Sequence, residues 1–336
     1  MVTEKVNVEA PEYFRKFRCK CGDCRTVCCQ GWRITLSEGE YTRLMQLQCS
    51  GELRGILNES FTVFDTPTEA RYAFITATEG GKCRIMDREG WCSLHKECGE
   101  SVQPAVCRLF PRSVKPGDVT EAVCSGACER VIEMLMETDG PLRFVTETLE
   151  VSAAPPDAGM DEEQRSRRRR CMEIWQEAGV PHTERLSRIG ACIGEPYRAD
   201  AAELYAHGLL LLRELGLHSG SLHALAERIT AWEAPADAES RAKERLPGME
   251  RYLENILANH MYFVQFPYAG DGIPPTEAWD GLYGVYALLH AVAVHAACTG
   301  ENPEIAFADG IAAALRCAEH TDFYHNAHIV LRGRRR

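Results

Sequence analysis

The chain lacks the short motifs that mark most familiar enzyme folds. No G-x-G-x-x-G follows a predicted strand and no G-x-x-x-x-G-K-[ST] occurs, which disfavours a dinucleotide fold, an ordinary Rossmann methyltransferase and a P-loop. A G-x-S-x-G elbow and an H-E-x-x-H helix are also missing, as is any repeat of fixed period. The opening MVTEKVNVEAPEYFRKF has no apolar stretch of signal-peptide length, and the apolar runs elsewhere break before the roughly 20 residues of a membrane span. These absences predict a cytoplasmic protein that does not enter a membrane. A surplus of positive charge is missing too: the formal net charge is −11, so most of the surface would repel a phosphate backbone, and no nucleic-acid partner is expected.

What the chain has in excess is cysteine. Of 16 cysteines in 336 residues, twelve lie between Cys19 and Cys128, leaving Cys171, Cys192, Cys298 and Cys317 for the remainder. In a reducing compartment such density argues for thiolate metal ligation or redox chemistry rather than a disulfide framework. One cluster reads FRCKCGDCRTVCCQGW, with Cys19, Cys21, Cys24, Cys28 and Cys29; the second reads GGKCRIMDREGWCSLHKECGE, with Cys83, Cys92 and Cys98, and runs on to Cys107, Cys124 and Cys128. Two sulfur-rich loops about fifty residues apart can converge on one polynuclear centre, because both offer the soft ligands that iron–sulfur clusters and zinc prefer. Zinc ribbons use paired C-x2-C knuckles, of which only Cys21 and Cys24 form one, so the surplus thiols and the adjacent Cys28–Cys29 pair favour iron–sulfur and leave zinc as the alternative. Cys49 and the four later cysteines read as small buried apolar residues.

Composition changes near residue 150. VSAAPPDAGMDEEQRSRRRR, residues 151–170, begins as a linker and continues as a helix with an acidic first turn, its arginine run forming a solvated face. Before it, Ser37 and Glu40 form a capping box, and alternation in FTVFD and RYAFITAT predicts a short hairpin. After it, apolar residues recur at helical spacing in five segments from ADAAELYAHGLLLLRELG to PEIAFADGIAAALRCAEH. The expected fold is mainly α: a cysteine-rich metal-binding region over 1–150 with a small β-hairpin, a linker and helix start over 151–170, and a C-terminal helical bundle over 171–336. The cysteine-rich part has few apolar residues to pack, so metal should supply much of its folding free energy.

PEYFRKFRCKCGDCRTVCCQGWRITL resembles the opening signature of the flagellin lysine N-methylases, and KCRIMDREGWCSLHKECGESVQPAVCRLFPR resembles their later one. CSGACERVIEMLM, RYLENILANHMYFVQFP and RCAEHTDFYHNAHIVL extend the likeness along nearly the whole chain. Carried over by position, the resemblance implies Cys19, Cys24, Cys28, Cys29, Cys83, Cys92, Cys107 and Cys128 as metal ligands, enough for two 4Fe-4S clusters and equally consistent with one cluster and spare structural cysteines; Cys21, Cys98 and Cys124 are extra thiols, and Phe110 stands where a tyrosine is common. It further implies methyl transfer from S-adenosylmethionine to lysines of flagellin or another lysine-bearing protein. Trp32, Arg108 and Arg112, beside ligand cysteines, are candidates to stack on the donor's adenine or pair with its carboxylate. Glu319 and His320 are candidates to assist lysine deprotonation. Two readings from other classes compete: a non-enzymatic zinc- or iron-binding protein and an electron-transfer protein, neither of which needs a methyl donor.

Overall fold

The computed structural model describes residues 3–26, 28–30, 33–115, 117, 119–152, 159–268 and 273–333. It is mainly helical, 56% helix against 12% strand. The chain divides into two compact units, Cys19–Phe110 and Met1–Arg18 with Pro111–Arg336. The composition change near residue 150 coincides with the end of a strand, Phe144–Ser152, inside the second of these rather than with an edge between them.

Cys19–Phe110 is built on a three-stranded antiparallel sheet in the order Ile34–Leu36, Ala73–Ile75, Phe61–Val63. The expected hairpin is its second half, with Phe61 opposite Ile75 and Val63 opposite Ala73. Ser37 caps the helix Glu38–Met45: its Oγ accepts from the Glu40 N–H at 3.3 Å while Glu40 accepts from the Ser37 N–H at 2.9 Å, the reciprocal pairing expected from the sequence. The core is small. Ile34, Leu36, Leu44, Leu53, Leu57, Ala73, Ile75, Ile85 and Leu94 are buried together, and Cys49, Cys83, Cys92, Cys98 and Cys107 pack half-buried against them.

In the other unit a four-stranded sheet, unforeseen in the sequence, carries the helices. Its order is Arg112–Lys115, Thr120–Cys124, Thr3–Pro11, Phe144–Ser152. The N-terminal strand pairs antiparallel with Phe144–Ser152 over nine residues and parallel with Thr120–Cys124. Val8 and Ala10 face inward at the two-residue period of a strand. The helix Glu162–Trp175 starts at Asp161, which forms a capping box with Gln164. Its arginine run is not a uniformly solvated face, as expected from the sequence: Arg168 makes a two-pronged pair with Glu121 at 2.5 and 3.0 Å, largely covered, while Arg169 and Arg170 stay exposed. Residues 153–158 of the expected linker lie outside the described residues.

The helices Ala201–Glu214, His223–Ala231, Met249–Phe263, Pro275–Thr299 and Pro303–Glu319 form where helical spacing placed them. Pro275–Thr299 is long and apolar enough to cross a membrane, contrary to the apolar-run count, yet 83% of its apolar window is buried inside the protein. It is apolar all round because helices pack on every side of it, as suits a central core helix. One of them, Ala201–Glu214, approaches so closely that a Cβ on Gly208 would stand 2.2 Å from the Ala287 carbonyl oxygen and 2.7 Å from the Ala291 Cβ. Gly208→Ala is therefore expected to cost about 2 kcal/mol in urea unfolding by overpacking this seam.

Candidate functional site

Two side-chain clusters are candidates for the site, one in each unit. In Cys19–Phe110 the second cysteine loop is shaped by two tight turns. Thr78 and Lys82 pair through the Thr78 N–H across a turn that needs Gly81 at φ +73°, and the next bonded step joins the Cys83 N–H to the Cys29 carbonyl at 2.7 Å. Asp87 then accepts from the Glu89 and Trp91 N–H groups at 2.9 and 2.8 Å, with Gly90 at φ +88°, which delivers Cys92 beside Cys83. Trp91 lies flush on the first loop: a Cβ on Gly22 would sit 2.1 Å from its indole Nε1.

This folding gathers Cys28, Cys29, Cys83, Cys92 and Cys107 into one neighbourhood. The Cys28 and Cys29 sulfurs are 3.8 Å apart. Burial, reinforced by Cys92 and Cys28, pushes the Cys83 thiol up to about 11. The Cys28 contact and burial push Cys29 up, with Cys83 and Cys107 adding to the shift, and Cys107 is driven up by burial and by Cys83, Cys92 and Cys28. Each thiolate thus opposes the next, a field that a bound cation reverses. Cys19 is exposed, with its sulfur accepting the Cys21 N–H at 3.3 Å, and Cys24 is half-buried. Among the described residues no three His, Cys, Asp or Glu side chains form a ready-made single-ion site. In softness and shared neighbourhood the five thiols are of the donor type that soft metal ions prefer.

Cys128 belongs to the other unit, where it precedes the helix Glu129–Glu137. Arg108 and Arg112 also fall in different units. Arg108 reaches the Ser101 carbonyl at 3.4 Å, and Arg112 is taken up by Phe17, donating to its carbonyl at 3.2 Å with the guanidinium 4.8 Å from its ring centre. Trp32 lies outside the described residues.

The second cluster surrounds Glu319 and His320 at the end of the helix Pro303–Glu319. Ser125 Oγ donates to Glu319 Oε2 at 2.6 Å and meets His320 Nε2 at 3.1 Å. The other oxygen, Oε1, faces His260 Nδ1 at 3.1 Å, and His260 Nε2 faces the Tyr324 hydroxyl at 3.1 Å. The Glu319 and His260 side chains are fully buried, whereas His320 stands at the surface end. Accepting from both Ser125 and His260, Glu319 assigns the imidazole proton of His260 to Nδ1 and leaves Nε2 to accept from Tyr324. Desolvation holds His320 below its ordinary value, in the neutral form that accepts a proton. Beside this chain, Tyr13 donates to Asn259 Oδ1 at 2.5 Å and Asn259 Nδ2 donates to the Cys124 carbonyl at 3.0 Å. Sequence reasoning found Glu319 and His320 but missed Ser125, His260, Tyr324, Tyr13 and Asn259; His260 and Asn259 lie in the segment RYLENILANHMYFVQFP singled out for its resemblance.

Lys115 adds a half-buried amine. Its Nζ donates to the Phe263 carbonyl at 2.5 Å, and burial brings it down to about 8, with Arg168 adding to the fall and Glu121 and Glu319 opposing it.

The chain is similar to lysine-N-methylases. It is 23% identical over 110 residues to proteins of that name from Salmonella typhimurium and Salmonella choleraesuis, an alignment covering 33% of this chain and 27% of each relative. It is 22% identical over 110 residues to the flagellar biosynthetic protein FliU of Salmonella muenchen, covering 33% of this chain and 64% of that protein. The chain thus spans about a quarter of the length of the lysine-N-methylases it matches. The likeness read along nearly the whole sequence is found here over one third of it. No family model and no solved structure matches the chain.

Two expectations follow. Gly22→Val displaces Trp91 and is expected to speed proteolysis within residues 19–110, measured by limited trypsin digestion. For Lys115, the unfolded side chain titrates near 10.4 and the folded one about 8, so between these values the unfolded chain binds more protons and stability rises with pH; the destabilisation is full below about pH 8. Lys115→Met is expected to raise the urea midpoint near pH 7 and to flatten the rise that the unaltered protein shows toward about pH 10.

Proposed function

We propose that this protein is a lysine N-methyltransferase that moves a methyl group from S-adenosylmethionine to lysine side chains of a protein, flagellin being the first substrate to test. The similarity to proteins named lysine-N-methylase carries this reading. The FliU relative, named a flagellar biosynthetic protein, supports the choice of substrate.

The transfer is a displacement at carbon. The acceptor amine gives its lone pair to the sulfonium methyl, the new N–C bond forms as the C–S bond breaks, and the sulfur leaves with that electron pair as a neutral thioether. A lysine with an ordinary value near 10.4 must first shed a proton. His320, neutral and at the surface end of its helix, is the group to receive it. Ser125 bridges His320 to the buried Glu319 at 3.1 and 2.6 Å, so positive charge on the imidazole is stabilised by a carboxylate that water does not reach. His260 and Tyr324 hold that carboxylate in place. His320 is therefore read as the base and Glu319 as the group that positions and stabilises it.

Cys28, Cys29, Cys83, Cys92 and Cys107 are proposed as ligands of an iron–sulfur cluster, with Cys19 and Cys24 as further donors from the same unit. When bound, such a cluster supplies a soft Lewis-acidic iron and a fixed anchor for the loops that hold it. Cys128, which the resemblance also implies as a ligand, belongs to the other unit and is not among the ligands proposed here.

The test is methyl transfer with purified protein, S-adenosylmethionine and flagellin, read by peptide mass spectrometry. Methylated flagellin lysines are expected, with His320→Gln lowering the rate on the order of 10²-fold. Absence of transfer to flagellin and to a panel of lysine-rich proteins refutes the reading.

A further inference from the structure

The helical unit contains a cavity of about 360 Å³ that neither the sequence reading nor the relay at Glu319 uses. It lies between the helix Glu162–Trp175, the sheet edge and the end of the helix Met249–Phe263. That volume falls in the range of small-molecule and cofactor sites, about 300–1,000 Å³, and exceeds what a single lysine side chain fills.

Its floor is aromatic and soft. Phe144 and Tyr262 pack with ring centres 4.4 Å apart, and Phe266, Met172 and Met261 complete the surface. The Tyr262 hydroxyl is fixed by Glu9, donating within 3.1 Å of its carboxylate and 3.0 Å of its carbonyl. On the wall, Arg168 stands 5.7 Å from the Tyr262 ring centre and is clamped to Glu121, whose carboxylate also accepts from Gln265 at 3.2 Å. Gln265 is held at φ +55°, one of two non-glycine residues with positive φ among those described, and strain of this kind collects where a site must be held in shape.

Charge narrows the ligand. Four glutamates, Glu9, Glu121, Glu162 and Glu173, line the cavity against three arginines, Arg165, Arg168 and Arg169. Arg165 and Arg169 already pair with Glu162 at 3.2 and 2.6 Å. A polyphosphate would meet this excess of carboxylate and be repelled. An aromatic base has a floor to stack on and an ammonium or sulfonium has glutamates and the Tyr262 face, while a ligand carboxylate would share arginines that Glu162 and Glu121 already hold.

We infer that this cavity binds S-adenosylmethionine, a cationic purine nucleoside that carries an amino-acid zwitterion, with its base on the Phe144–Tyr262 floor and its charged end toward the helix Glu162–Trp175. The inference rests on the methyltransferase reading above and assigns the donor to residues other than Trp32, Arg108 and Arg112.

The experiment is calorimetric titration of the full chain with S-adenosylmethionine, repeated on two variants that fill the cavity. Met172→Trp blocks the floor, and Val119→Trp, at a half-exposed rim position, does so without touching the core. Circular dichroism verifies that each variant is folded. Binding by the unaltered protein that weakens at least tenfold in the folded variants supports the assignment. Binding that is unchanged in a folded variant overturns the cavity as the donor site while leaving the methyltransferase reading intact. No binding by the unaltered protein overturns both.

Discussion

Five crowded thiols, three of which (Cys83, Cys92 and Cys107) pack against a nine-residue apolar core, set the terms for the unit Cys19–Phe110. Burial and mutual repulsion push Cys29, Cys83 and Cys107 upward, so the loops carrying them gain nothing from forming thiolates on their own. Nor can nine apolar side chains easily repay the ordering of more than ninety residues, at roughly 1–2 kcal/mol of backbone entropy each. The proposed metal centre would answer both problems together, because a multivalent cation favours deprotonated sulfurs and cross-links distant loops. The flush contact of Trp91 on Gly22 and the Cys83 to Cys29 hydrogen bond are the local devices that hold the two loops within reach of one centre.

The helical unit solves a different problem, that of burying polar groups without leaving them unpaired. Glu319, His260, Ser125 and Tyr324 satisfy one another in a connected network, with Tyr13 and Asn259 paired beside it, between the turn after Thr120–Cys124 and three helices. Such a network costs heavily if any member is lost, and it rigidifies its surroundings when complete. A packed bundle would stand more simply on apolar contacts there, which is why the network reads as chemistry with His320 as its surface terminus. The parallel pairing of the N-terminal strand with Thr120–Cys124 places the Ser125 turn against the helix Pro303–Glu319, close enough that a Cβ on Gly126 would strike the Leu315 side chain at 2.4 Å.

Much of this was legible where the signal is local. The Ser37–Glu40 capping box, the Asp161 start, the hairpin and the five late helices each announce themselves within a dozen residues. The four-stranded sheet did not, because Thr3–Pro11 finds its partners more than a hundred residues away and shows only Val6, Val8 and Ala10 as an alternating face. Arg168 reads like its three neighbours in the arginine run, and only the fold reveals that Glu121 waits opposite it. In the candidate site the cysteines were visible by count and spacing, and Glu319 and His320 by resemblance. Ser125 and His260 carry no linear signature, since their relation to Glu319 exists only after three distant segments meet.

The most direct test of the metal-centred account is anaerobic purification followed by measurement of iron, zinc and acid-labile sulfide per chain. The account predicts iron and sulfide in equal amounts. Zinc without sulfide contradicts the iron–sulfur assignment, and a stably folded Cys19–Phe110 region carrying neither metal contradicts the account altogether.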